Sequence, residues 1–388
     1  MCLTQQQGFE QYRNYLSVDL NAIYHNGMVA HSVFPEQKIM CVLKADAYGH
    51  GIAGVLPAYE RFADAYAVAT VEEGLQIRKG SEKPVLIFGP VPMEKMVLAA
   101  QKDLTFTVGS FAYAKRLAAQ LQSAGIKGSC HLKIDTGLNR SGIPKDAPAE
   151  QLSEMYSLAP LVFTGTYTHF ACGEGTEPWE LTFTQQQFEA YQVAIARLHS
   201  LGFPIGIRHC CSTGGALVHP EYRMDMVRLG MLPLGMSYSD QSVSDLGLRP
   251  VAKWVSFVAQ LKTVPKGEAI SYGCTFRAEQ DMQVALVTCG YADGYRRVYS
   301  NKTSVLIHGK SVPVVGRVAM DYLMIDVTHI AHVNIGDQVI LLGCDGNTWI
   351  STQQLAQYGE SVSGEVTCAI SARVPRIYLN ESGGSENA

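Results

Sequence analysis

The first two-thirds of this 388-residue chain alternate short apolar runs with amphipathic segments, and no other feature limits the fold as strongly. Strand-like runs begin at Ile39 (IMCVLKADA), Ala65 (AYAVAT), Pro84 (PVLIFG), Leu104 (LTFTV), Cys130 (CHLKIDTG), Val162 (VFTGTYTHF), Ile205 (IGIRHCCST) and Asp225 (DMVRLGM). Between them, VEEGLQIRKG, FAYAKRLAAQLQSAG, AEQLSEMYSLA and QQQFEAYQVAIARLHSLG repeat apolar residues at helical spacing. The last of these stops at Gly202 and Pro204. Strands alternating with helices predict a parallel sheet, and eight strands is the count that closes a (β/α)8 TIM barrel.

After about Gly235 the texture changes. SYSDQSVSDLG is polar and reads as a linker. Then come VAKWVSFVAQLKTV, MQVALVTCG, TSVLIH, SVPVVGRV, YLMIDVT and DQVILLG without helices between them, with HGKS as a turn. The expected organisation is an α/β fold with a barrel over residues 14–240 and a C-terminal mostly β domain over 241–380. ESGGSENA, residues 381–388, reads as a disordered tail.

Composition narrows the function. With 47% hydrophobic and 17% charged residues the chain can bury a core. A formal net charge of -4 and the lack of a basic run speak against a nucleic-acid partner. No stretch reaches the roughly 18 apolar residues of a membrane span, and Met1 to Asn14 has no apolar core of a secretory signal. The ten cysteines form no CxxC pair and no metal-ligand spacing. They read as small buried hydrophobes of a reducing, cytoplasmic protein, and adjacent Cys210 and Cys211 are an awkward disulfide pair.

In a parallel barrel, chemistry gathers at the carboxyl ends of the strands. Lys44, Lys133, His169, His209, Ser212, Thr213 and Arg228 stand there. Lys44 follows Val42 and Leu43 on a strand written for burial. It is either a rim lysine reaching water or a desolvated amine of lowered pKa, the type that anchors pyridoxal 5′-phosphate (PLP). For His169 and His209 the residues alone leave open an ordinary structural histidine, and for Arg228 a surface ion pair.

VLKADAYGHG, residues 42–51, closely resembles the PLP-lysine motif of alanine racemases. VDLNAIYHN, HLKIDTGLNRSGI, YTHFA, VRLGM, SYGCTF, GYADGYRR, GRVAMD and ARVPRIY resemble further motifs of that family in the same order, from about residue 17 to about 378. The resemblance implies the barrel, the C-terminal β domain, a homodimer and PLP. It also implies interconversion of L- and D-alanine, supplying D-alanine for cell-wall peptides. Lys44 and Tyr272, from opposite subunits, would be the two proton-transfer groups. Two acid/base groups flanking one carbon return a proton to either face without favouring a hand.

By the same resemblance Arg228 faces the pyridine nitrogen, with His169 and His209 near it. Tyr48, Ser212, Thr213, Gly230 and Met231 line the PLP phosphate. Arg140, Met320, Asp321 and Tyr291 surround the substrate, and Lys133 matches a lysine that some members carbamylate. HCCSTGGA departs from the family's usual asparagine and serine at Ser212 and Thr213, although hydroxyls persist. Ala372 stands where many members carry a tyrosine. The extra space favours a serine or broad-range racemase, unless neighbours refill the gap. Asp293 and Arg297 read as sheet-turn charges. Two other readings are a barrel-type PLP decarboxylase, whose relatives meet the pyridine nitrogen with an acidic residue, and a non-catalytic PLP carrier, which resembles the barrel alone.

Overall fold

The computed structural model describes residues 5–236 and 244–379. The expected tail and residues 237–243 of the linker lie outside them. Contacts divide the chain into a barrel unit, Gly27–Ala47 with Leu56–Pro233, and a β unit, Met1–Asn26, Tyr48–Val55 and Leu234–Ala388.

The strands, in chain order, start with β1 (Asn14–Asp19), β2 (Lys38–Val42), β3 (Ala65–Val68), β4 (Val85–Ile87) and β5 (Leu104–Val108). Then follow β6 (Gly128–Asp135), β7 (Ile143–Pro144), β8 (Leu161–Tyr167), β9 (Ile207–His209) and β10 (Met226–Leu229). The barrel runs β10-β2-β3-β4-β5-β6-β8-β9, all neighbours parallel. The circle closes where Asp225 N donates to Arg208 O at 3.2 Å and Arg228 N to Cys211 O at 3.1 Å. Each apolar run read from the sequence overlaps one of these eight strands, with β2, β6 and β8 starting one or two residues before the run. Strands β3, β4, β5 and β10 are buried at every residue, because inward side chains fill the barrel and outward ones meet helices.

Side chains start the helices where the sequence supplies caps. Thr70 and Glu73 form a capping box on Val71–Arg78, and Ser110 accepts from Tyr113 N on Phe111–Ser123. The longest helix, Pro178–Ser200, opens on a proline and a Glu177–Glu180 box.

In the β unit, β1 pairs antiparallel with β11 (Ala252–Val264) and parallel with β20 (Arg376–Leu379). The short pair β12 (Ala269–Ile270) and β13 (Phe276–Arg277) flanks the Tyr272 turn, and β14 (Met282–Val287) follows. The hairpin β15 (Ser304–Ile307) and β16 (Lys310–Pro313) turns on His308 and Gly309, both at positive φ. Then come β17 (Leu323–Asp326), β18 (Gln338–Asp345) and β19 (Thr348–Ile350). Two short helices absent from the sequence reading, Thr352–Tyr358 and Ser363–Cys368, precede β20.

Candidate active site

Lys44 corrects one expectation. The strand ends at Val42, and Leu43 N makes the last ladder-like bond, to Ala67 O at 2.8 Å. Ala45, Asp46, Ala47 and Tyr48 then take left-handed helical backbone, with φ between 53° and 55°. Ala47 N closes that turn onto Leu43 O at 2.8 Å. L-residues resist this conformation by about 1–2 kcal/mol each, so surrounding structure must impose it. On the barrel side Glu73 does part of this. One carboxylate oxygen caps Ala69 and Thr70 amides, and the other takes Asp46 N at 3.3 Å. In the β unit Gly49 follows at φ +81°, where a Cβ would stand 2.2 Å from Thr367 O. Lys44 is therefore presented, exposed, on a turn beyond the strand, and burial on a strand does not describe it.

Behind it the strand ends converge on Arg228, which is 4% exposed. Its Nη1 donates to His209 Nδ1 at 3.0 Å. Its Nη2 faces Cys210 O at 2.7 Å, His169 Nδ1 at 3.0 Å and Thr168 O at 3.1 Å. A guanidinium has no acceptor, so His209 Nδ1 must be bare and Nε2 must carry the proton. That Nε2 donates to His131 Nδ1 at 3.0 Å. One buried cation thus sets the tautomers of two histidines in series. Burial pushes His131 down to about 4 and His209 well below its usual value, so both are neutral. His169 falls to about 3, through burial first and then the positive charges of Arg228, Arg140, Lys133 and Lys44. That shared influence puts the four cations of the sequence reading in one field. Among the described residues Arg228 Nε–H has no acceptor, so this buried cation keeps one donor unused.

Tyr167 stacks on His209 with centroids 4.7 Å apart, and both Arg228 and Lys133 lie over its ring. Lys133 is 5% exposed and donates to Ser141 Oγ at 2.5 Å. Burial, with Arg140 and Arg228 nearby, brings its amine down to about 8. Arg140 is exposed. Thr213, buried beside half-buried Ser212, accepts from Gly230 N at 3.3 Å, with Met231 next in chain.

The β unit carries the rest. Tyr272 is 69% exposed on a tight turn between Ser271 (φ 64°) and Gly273 (φ 72°), anchored by Ser271 Oγ donating to Arg317 O at 2.6 Å. Met320 and Ala372 are exposed, Tyr291 is 42% exposed, and Asp321 is half-buried. Tyr48 lies in this unit beside Gly364. Sequence reasoning missed His131, Tyr167 and Glu73. His131 shares a strand face with Lys133, two residues on, which was the available signal.

Residues 18–237 match the alanine racemase N-terminal domain and residues 251–378 its C-terminal domain. The chain belongs to the alanine racemase family. It is 36% identical to an alanine racemase of Methanococcus maripaludis over 94% of this chain and 98% of that one. It is 37% identical to alanine racemase 2 of Caldanaerobacter subterraneus over 94% of each. The alanine racemase structure from Clostridium difficile superposes with a TM-score of 0.88 at 31% identity, covering 96% of this chain and 97% of that one. The family is PLP-dependent, generally dimeric, and binds an amino-acid substrate. Among the described residues no helix is long and apolar enough to cross a membrane.

Proposed function

We propose that this chain interconverts L- and D-alanine with PLP, and that the buried Arg228 carries the reading. A PLP pyridine nitrogen set against Nε–H of a cation with neutral histidine neighbours would stay unprotonated. A barrel-type decarboxylase would be expected to place a carboxylate there. PLP, when bound, withdraws electrons from the substrate α-carbon. The donor set fits that group: Lys44 to hold it, Arg228 for the ring nitrogen with His169 alongside, and Tyr48, Ser212, Thr213, Gly230 and Met231 for the phosphate.

Lys44 Nζ moves the α-proton on one face. The phenol of Tyr272 of the partner subunit moves it on the other, which requires a homodimer. Arg140 takes the substrate carboxylate, and Met320, Asp321 and Tyr291 bound the pocket. With its amine near 8, about one Lys133 in ten is unprotonated at pH 7, ready to add carbon dioxide and release a proton. The resulting carbamate is an anion that would orient Arg140.

Ala372 supports a second reading, a serine or broad-range racemase, since it is exposed and smaller than the tyrosine many members carry at this place. Chiral chromatography of L-alanine and L-serine incubated with enzyme and PLP in deuterated water tests both. Deuterium at the α-carbon of both alanine enantiomers supports racemisation. Comparable serine turnover selects the second reading, and no exchange with either defeats both.

A further inference from the structure

Four segments of the β unit, remote in sequence, meet at Asp321. Its carboxylate accepts from Arg373 Nη2 at 2.7 Å, and its backbone carbonyl accepts from Arg13 Nη2 at 2.9 Å. The other arm of Arg373, Nε, donates to Asp293 Oδ1 at 2.7 Å. Asp293 is 2% exposed, and its second oxygen takes Gly290 N at 2.8 Å. Its backbone carbonyl takes Ser371 N at 2.9 Å. Ala372 is therefore bracketed by a tethered amide before it and a tethered guanidinium after it. Met320 is bracketed too: Ala292 N donates to its carbonyl at 3.0 Å, Tyr291 N to Ala319 O at 2.9 Å, and Asp321 is held at both ends. The Arg13 guanidinium also lies 5.5 Å from the ring centroid of Tyr322.

A planar guanidinium holding two carboxylates, one of them buried, fixes direction as well as distance. Arg373 is exposed but Asp293 is buried, so breaking this pair also costs stability, and the test reads Tm beside KM. The evident effect of the clamp is to make the Ala319–Tyr322 loop and the Ser371–Val374 turn a single piece.

We propose that Arg373, seated on Asp293, and Arg13 are positioning residues for substrate selection, holding Met320 and Ala372 as one wall of the substrate pocket. Arg13 precedes residues 18–237, so part of this hold comes from ahead of the residues matched to the family. The inference rests on the reading of Met320 and Ala372 as substrate-side residues.

The test compares holoenzymes of the native protein, Arg373→Met, Arg373→Lys and Arg13→Met. It reads KM and kcat for L-alanine and L-serine, PLP affinity and Tm. Arg373→Met should raise KM about tenfold and alter the alanine-to-serine ratio, while kcat and PLP affinity stay within about threefold. Arg373→Lys, which keeps the charge but can satisfy only one carboxylate well, should recover part of the loss. Arg13→Met should show a smaller rise of the same kind. Met320→Ala and Ala372→Tyr serve as controls. If they move KM and Arg373→Met and Arg373→Lys do not, the clamp is refuted while the pocket reading stands. If the controls leave KM unmoved for both substrates, the pocket reading falls and takes the clamp with it. A parallel loss of kcat, PLP affinity and Tm in both Arg373 variants would mark the residue as merely structural and also refute the proposal.

Discussion

In the barrel unit Arg228 is 4% exposed, Lys133 5% and His209 fully buried, whereas in the β unit Tyr272 is 69% exposed and Met320 53%. The first set satisfies itself apart from Arg228 Nε–H: guanidinium, histidines, stacked tyrosine and backbone carbonyls pair with one another. The second set is carried on tight turns and tethered loops with its reactive ends outward. Groups meant to serve their own unit can be locked at folding. On the proposed reading, in which the groups of the second set complete the site of another copy, they must be held firmly by the backbone while their side chains stay uncovered. The ion-paired loops and left-handed turn residues of the β unit meet that requirement.

The comparison breaks most sharply at Lys44 and Tyr272. Lys44→Ala should lower racemisation by about 10⁴-fold or more and remove the visible absorbance of bound PLP. Retention of both would overturn the assignment. Tyr272→Phe should cost about 10²–10⁴-fold in kcat while that absorbance persists, because only a proton-transfer group is lost. A mixture of inactive Lys44→Ala and inactive Tyr272→Phe chains should regain activity on subunit exchange if the two groups come from opposite copies. Flat activity on mixing argues for a site within one chain.

Ala372→Tyr should shift the alanine-to-serine ratio of kcat/KM toward alanine by about 10-fold or more. An unchanged ratio would mean neighbours already refill that space.

The smallest effect belongs to the buried histidines. His131 and His169 have folded values of about 4 and 3 against an unfolded value of 6.5. The unfolded chain therefore binds more protons in that window. Their contribution is complete above pH 6.5 and is lost as pH falls toward 4. His131→Asn should flatten the acid limb of unfolding free energy by up to about 1.4 kcal/mol per pH unit. Equal slopes in urea titrations at pH 4.5 and 6 would refute it.

The eight barrel strands were legible because a strand buried on both faces spells itself as an apolar run. The strand end at Val42 was not, because Ala45–Tyr48 contains none of the glycine or asparagine that usually marks left-handed backbone. Lys44, Tyr272 and Ala372 were found through motif likeness, and their exposure could not be read from it. His131 was hidden because its partner His209 lies 78 residues away. Asp293 reads as a turn charge until Arg373, 80 residues on, is seen to hold it. Such pairings belong to tertiary structure and leave no local period.

The turn after Lys44 has a stereochemical consequence. Its backbone is the mirror image of an ordinary helical turn, the conformation that a D-residue adopts without penalty. A chain assembled by ligation with D-alanine at positions 45 and 47 would relax there, by about 1–2 kcal/mol per residue. The segment that presents the lysine is thus one where the product enantiomer would fit the backbone better than the L-alanine that translation supplies.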